Sequence, residues 1–290
     1  MVLGTAELGM AYGINNTQGK PELVRSFGIL DSAWNGGIRE LDTAAAYGEA
    51  ELIIGKYQSE KNVRFIVDTK LPVSIEADQC RMSLDKALKN LGCDRIHVLY
   101  LHSFEQCKEK AMMKFLNSLK EEDKIDCIGI SIYEPFELEY IMDNLQDVDV
   151  IQFPFNIFDN VRWRKEDLLK RAKYAGKTLY ARSIYLQGLL FRDPADVLIQ
   201  KMGADKYISY LHQICMQEKI TIQQLAFQFV EQFDEIDEII VGCGSSSEVS
   251  ENVSLFRKKN KITSDIVMSI ENIMNRIPSS IIDPRTWRNA

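Results

Sequence analysis

The 290-residue sequence has no apolar run long enough to span a bilayer. Its first ten residues, MVLGTAELGM, carry two glycines and a glutamate where a secretory leader would carry a basic flank and an apolar core. A cytoplasmic location is the expectation, with no membrane partner. No CxxC pair occurs either. The six cysteines stand at 80, 93, 107, 127, 215 and 243, without zinc-site spacing, and read as reduced, small apolar side chains, so no metal is expected. No Lys/Arg stripe with interleaved aromatics offsets the formal charge of −7, which repels a phosphate backbone, and nucleic acid is therefore not expected as a partner. A Gly-x-Gly-x-x-Gly turn is missing, which weighs against a doubly wound dinucleotide fold. No linker, repeat or low-complexity segment divides residues 1–290, so a single domain is expected. The oligomeric state is left open.

What the sequence does contain is a regular alternation. Eight β-prone runs, at 2–8, 38–44, 65–71, 97–102, 126–132, 150–156, 178–184 and 238–244, are separated by stretches with apolar residues at three-to-four spacing. Leu23, Phe27, Leu30 and Trp34 form one such stripe, Met82, Leu84, Leu88 and Leu91 another, and Leu225, Phe229 and Phe233 a third. Gly36, Gly37, Gly92 and Gly176 fall where helices end before the next strand. Eight strand–helix units in under 300 residues predict an α/β chain folded as a (β/α)8 TIM barrel.

Three consecutive runs finish on ionisable or polar residues: Asp42 and Tyr47 after the second, Lys70 on the third and His102 on the fourth. A tyrosine hydroxyl has an ordinary pKa of about 10, so proton exchange near neutrality needs a cation beside it. Lys70 supplies one, and Asp42 is placed to keep a buried ammonium charged. The His102 imidazole is placed to orient a carbonyl. Such a group protonates a carbonyl oxygen while a hydride reaches its carbon, and the hydride has to come from a cofactor, since no side chain donates one. The residues by themselves also fit a lyase that uses Lys70 as a Schiff-base nucleophile.

Asp42, Thr43, Ala44, Tyr47 and Gly48 resemble the Asp-x-Ala-x-x-Tyr-Gly signature of the aldo-keto reductase superfamily, and Lys70 and His102 fall where its catalytic Lys and His fall. The resemblance implies Tyr47 as general acid, Lys70 and Asp42 lowering its pKa, and His102 orienting the carbonyl. It also implies a barrel that binds an extended nicotinamide dinucleotide and reduces an aldehyde or ketone as an NAD(P)-dependent enzyme, or, alternatively, a cofactor-bound regulatory subunit with little turnover. GISIYEP (129–135) is similar to the fifth-strand motif and implies Ser131 as a carboxamide contact, and IQFPFNIFD (151–159) implies Gln152 as the second, with Asn156 nearby. ARSIYLQGLL (181–190) implies Arg182, Ser183 and Gln187 beside the nicotinamide and pyrophosphate. VGCGSSSEVSENV (241–253) implies Gly242, Cys243, Gly244, Ser245, Glu248, Glu251 and Asn252 around the adenosine end, and Gly4, Thr5 and Asp42 complete the implied cofactor contacts.

Three positions depart from the family pattern. Ser131 is followed by Ile132 where many relatives have Asn, and Arg182 stands where some stack an aromatic ring on the nicotinamide. The family favours NADP, yet residues 242–250 hold no Lys or Arg and do hold Glu248, so NADP, NAD or dual use stays open, with serines 245 to 247 still available to a phosphate. Met10, Tyr12, Phe104, Tyr133 and Trp287 are expected apolar walls for a small-molecule carbonyl substrate. The tail at 277–289 is expected over the mouth or outside the barrel, with Arg285 near an anionic group in the first case. The tail and GTAELGMAYG also resemble aldo-keto reductases associated with bacterial surface polysaccharides, which implies a sugar or nucleotide-sugar substrate.

Overall fold

A computed structural model describes residues 1–73, 76, 79–258 and 261–289. The expected domain, 1–290, also takes in 74–75, 77–78, 259–260 and 290, which lie outside the described residues. Eight parallel strands close on themselves in sequence order: β1 Val2–Gly4, β2 Glu40–Asp42, β3 Ile66–Leu71, β4 Ile96–Leu101, β5 Ile125–Ser131, β6 Val150–Pro154, β7 Thr178–Arg182 and β8 Glu238–Gly242. Closure is between β8 and β1, with Val2 opposite Ile240 and Gly4 opposite Gly242. This is the (β/α)8 barrel that the alternation predicts.

The strands are shorter than their apolar runs. The first run keeps strand geometry only to Gly4, because both the N–H and the hydroxyl of Thr5 turn to the Asp42 carbonyl, and Ala6–Gly9 then forms a helical turn. Helices Leu23–Asn35, Ala50–Lys61, Cys80–Leu91, Lys110–Glu121 and Pro135–Asn144 follow β1 to β5. Their buried stripes are rotated slightly from the predicted ones. Ser26, Ile29, Leu30 and Ala33 face the barrel while Leu23 is 44% exposed, and Leu84, Leu88 and Leu91 are buried while Met82 is 69% exposed. In the third stripe Leu225 and Phe229 are buried in the helix Ile222–Glu231, and Phe233 lies beyond its end. The main core fills the space between strands and helices. Among the described residues the six cysteines form no disulfide, and no helix is long and apolar enough to cross a membrane.

Inside the barrel, alternate residues of each strand stack on one another. Val2, Val98, Tyr100, Val150, Tyr180 and Ile240 form an apolar cluster separate from the main core. Toward the amino ends of the strands, Glu40, Asp68 and His97 bring one polar atom each within 4.8 Å of one another. Asp68 is fully buried; one of its oxygens accepts the Val98 N–H, and Tyr180 donates to Glu40. Burial, then the neighbouring Glu40 carboxylate, push the Asp68 carboxyl well above the usual range, and its second oxygen has no hydrogen-bond partner among the described residues.

The unfolded chain releases the Asp68 proton near pH 4, whereas the folded chain holds it to higher pH. Stability contributed by protonated Asp68 is therefore fully present below about pH 4 and is lost progressively as pH rises through the folded value. Asp68→Asn keeps an acceptor for the Val98 N–H without a titrating proton. We expect it to raise the Tm at pH 8 by on the order of 3 °C and to change it little at pH 4, measured by thermal melts at both pH values. An equal shift at both would refute a raised Asp68 carboxyl.

Candidate active site

The carboxyl ends of β2, β3, β4 and β6 deliver four side chains to one place. Asp42 ends β2 and Lys70 lies one residue before the end of β3, both facing inward. The Lys70 ammonium donates to Asp42 Oδ1 and Oδ2 at 2.7 Å each and to the Thr43 carbonyl at 2.9 Å. From β6, across the barrel, Gln152 Nε2 donates to Asp42 Oδ1 at 2.7 Å. Asp42, Lys70 and Gln152 are all nearly inaccessible to water. Burial pulls the ammonium down, but the Asp42 carboxylate and then Tyr47 together offset it and hold Lys70 above its ordinary value. A Schiff-base nucleophile needs the opposite, an amine easily freed of its proton, so this geometry argues against the lyase reading.

Tyr47 lies in the loop after β2, its ring centroid 5.1 Å from Lys70 Nζ and 6.3 Å from the His102 ring, which it meets edge to face. Its position is set by a backbone contact. A Cβ on Gly9 would lie 1.7 Å from the Tyr47 carbonyl oxygen, and one on Gly48, at φ +60°, would lie 2.4 Å from the Gly9 oxygen. Burial raises the Tyr47 hydroxyl above the usual phenol value; Lys70 pulls it back, while Asp42 adds to the rise. Lys70 therefore lowers it as expected, whereas Asp42, expected to lower it too, raises it, and desolvation outweighs the cation. Tyr47 is thus a protonated hydroxyl beside a fixed positive charge.

His102, just past β4, is held down to about 4 by burial, then by Lys70 and Arg182, so it is neutral through the physiological range. Its Nδ1 is buried and has no hydrogen-bond partner among the described residues.

The cofactor positions read from the sequence lie along the same ends of β5 to β8. Ser131 ends β5, in register with Gln152. The Gln152 amide nitrogen is directed at Asp42, so that nitrogen is already engaged. Ile132 is fully buried, and its carbonyl accepts from Arg182 at 3.1 Å. Asn156 Oδ1 caps the turn at Phe158 and Asp159, leaving its buried Nδ2 without a partner among the described residues. Past β7 the backbone is left-handed at Ser183, Leu186, Gln187 and Gly188, and the Gln187 carbonyl accepts the Ile14 N–H, tying this loop to the one after β1.

Beyond β8, Gly242, Cys243 and Gly244 lead into the helix Ser246–Lys258. Glu248 accepts from the Gly244 N–H at 2.9 Å and from the Ser245 hydroxyl at 3.2 Å, so a carboxylate of the chain itself occupies these donors at a helix N-terminus. Glu251 is exposed, whereas Asn252 is buried and bonded to Tyr185, Gln223 and the Glu248 carbonyl. Gly4 and Thr5 lie against Gly242 and Asp42 respectively.

Two residues here escaped the sequence reading. Arg25, in the first helix after β1, donates from Nε and a terminal nitrogen to the Gly244 carbonyl, so a cation does stand beside the loop that lacks Lys and Arg. Glu7 lies so close that a Cβ on Gly244 would meet its Oε2 at 2.4 Å. Burial and then Glu248 push Glu7 up to about 7, with Arg25 pulling the other way. Neither has a local signal, because Arg25 and Gly244 are 219 positions apart. The residues that would hold a dinucleotide along this track are Gly242 and Cys243 beside a helix N-terminus at one end and the unpartnered imidazole nitrogen of His102 at the other.

Of the expected apolar walls, Tyr133 is at the mouth, under the guanidinium groups of Arg182 and Arg285 at 4.2 and 3.8 Å from its centroid. Tyr12 is half-buried, and desolvation, then Tyr47, raise its hydroxyl to about 12 against the opposing pull of Arg182. Phe104 instead packs edge-on against Phe136 and Tyr140. Met10 ends the first helical turn, and Trp287 donates to the Ser280 carbonyl within the tail. Through Arg285 the tail reaches Tyr133, the mouth position of the two that were open.

A family model described as "Aldo/keto reductase family" matches residues 1–275. The sequence is 27% identical to L-galactose dehydrogenase of Arabidopsis thaliana, over 87% of this chain and 82% of that protein. It is 22% identical to pyridoxal 4-dehydrogenase of Microbacterium luteolum, over 88% and 89%. Among solved structures, an aldo-keto reductase from Bacillus halodurans in its holo form superposes with a TM-score of 0.76 at 19% identity, covering 98% of this chain and 95% of that one.

Proposed function

The chain belongs to the aldo/keto reductase family, NAD(P)-dependent oxidoreductases acting on carbonyl compounds, and from that premise we propose that it reduces an aldehyde or ketone with Tyr47 as general acid. The observation that carries this reading is the Lys70 ammonium, fixed by both oxygens of Asp42 and lying 5.1 Å from the Tyr47 ring. A bound reduced nicotinamide supplies the hydride to the carbonyl carbon. Tyr47 gives its proton to the carbonyl oxygen, and the Lys70 charge stabilises the phenolate left behind. Neutral His102 donates a hydrogen bond that aims the oxygen at Tyr47, and Asp42 with Gln152 positions Lys70. A sugar carbonyl is the substrate we favour, in keeping with a relative named for L-galactose.

For the cofactor we propose NADH over NADPH. Glu248 already takes the donors that a 2′-phosphate would use, Glu7 adds a second carboxyl, and only Arg25 opposes them. A carboxylate at this place suits a free ribose hydroxyl. Ser131 and the Oε1 of Gln152 are assigned to the carboxamide, and Gly242 and Cys243 to the phosphates.

Calorimetric titration of the two reduced dinucleotides side by side tests both statements. NADH is expected to bind at least about tenfold more tightly, roughly 1.4 kcal/mol. Tighter NADPH would overturn the preference, and no measurable binding of either would overturn the reductase reading itself.

A further inference from the structure

We propose that the barrel mouth holds an anion subsite, centred on Arg182, that takes a carboxylate or phosphate borne by the carbonyl substrate. The inference rests on the reductase reading above and adds the chemical class of what is reduced.

Arg182 is the last residue of β7, at the same end of the barrel as Tyr47 and His102. Its charge reaches the reacting groups: it is among the influences that lower His102 and that oppose the rise of Tyr47 and Tyr12. The guanidinium is partly buried, lies 4.2 Å from the Tyr133 centroid, and donates to the Ile132 carbonyl at 3.1 Å and the Ser183 hydroxyl at 3.4 Å. Both acceptors are neutral. Among the described residues no carboxylate is in contact with it.

Among the described residues three neighbouring cations do have such a partner. Arg162 holds both oxygens of Asp159, at 2.6 and 2.8 Å, and also Glu134. Arg285 holds Asp283 at 2.7 Å and approaches Glu134 at 3.9 Å. Lys70 is matched by Asp42. Arg182 is left with donors directed by strand geometry, an aromatic platform beneath it and, among the described residues, no carboxylate in contact. A guanidinium presents five donors in a rigid fork and binds carboxylate or phosphate in two-point fashion. Partial burial strengthens such a contact relative to one in open water.

The dinucleotide is the competing occupant, since Arg182 also lies on the cofactor track. A cation above an oxidised nicotinamide is unfavourable, whereas one above a substrate anion is matched in both redox states. The subsite therefore discriminates substrates rather than cofactor forms.

Steady-state kinetics with NADH and two matched pairs test this: glyceraldehyde against glyceraldehyde 3-phosphate, and methyl 4-formylbenzoate against 4-carboxybenzaldehyde. The charged member of at least one pair is expected to show a kcat/KM about tenfold or more higher, carried mainly by KM and reduced by added salt. The pair that responds says whether phosphate or carboxylate is the natural group. In Arg182→Met the charged-to-neutral ratio is expected to fall close to one, and Arg182→Lys to keep an intermediate ratio.

A ratio at or below one for both pairs in the unaltered protein overturns the subsite. So does a ratio unchanged in Arg182→Met, or a loss of NADH affinity in that variant that accounts for the whole effect, which assigns Arg182 to the cofactor. Failure of all four aldehydes to oxidise NADH removes the reductase reading and the subsite with it.

Discussion

Replacing Tyr47 by phenylalanine is expected to lower kcat by about 10³-fold, within the range usual for loss of a general acid. The substitution removes one oxygen from a ring otherwise held by its backbone and its edge contact with His102, so the loop after β2 should keep its place. Calorimetric affinity for the reduced dinucleotide and the Tm should therefore stay near those of the unaltered protein. A loss in kcat without a loss in binding identifies an interaction made in the transition state. A fall of less than tenfold would mean that the proton comes from elsewhere, with His102 the next candidate because of its unpartnered nitrogen.

The second large effect concerns stability. Asp42→Ala leaves the Lys70 ammonium buried with only the Thr43 carbonyl as acceptor and takes the acceptor from Gln152 as well. Breaking a buried pair from one side costs about 3–5 kcal/mol, which for a chain of this size is a Tm loss on the order of 10 °C. Removing the stranded charge too, in Asp42→Ala with Lys70→Met, should restore a large part of it, although neither variant should turn over. Thermal and denaturant melts of the single and double variants measure the difference. Equal stability for the two would show that solvent or another side chain satisfies Lys70, and would remove the reason for placing a fixed cation next to Tyr47.

Much of this site is written in local sequence. Asp42, Lys70 and His102 sit at strand ends, and a period-two pattern that stops on a charged residue marks a strand end whatever surrounds it. The barrel itself follows from eight repeats of one pattern. Side-chain faces were less legible. Leu23 and Met82 fit an apolar stripe by type but are exposed, whereas the small Ser26 and Ala33 share the buried face of the first helix with Ile29, as a close helix–strand contact accepts. Charge balance was not legible locally. Residues 242–250 looked free of cations until Arg25 arrived from another helix, and the net effect on Tyr47 depended on burial that no spacing reveals.

The meeting of Gly9 with Tyr47 and Gly48 has a consequence for engineering. Where two loops touch through side chains, rotamers absorb small errors; here backbone meets backbone, and no such slack exists. Residues 6–10 and 45–50 therefore behave as one rigid cassette. Grafting either loop from another barrel, to widen the choice of substrate, would have to move both together or shift the tyrosine hydroxyl off its target.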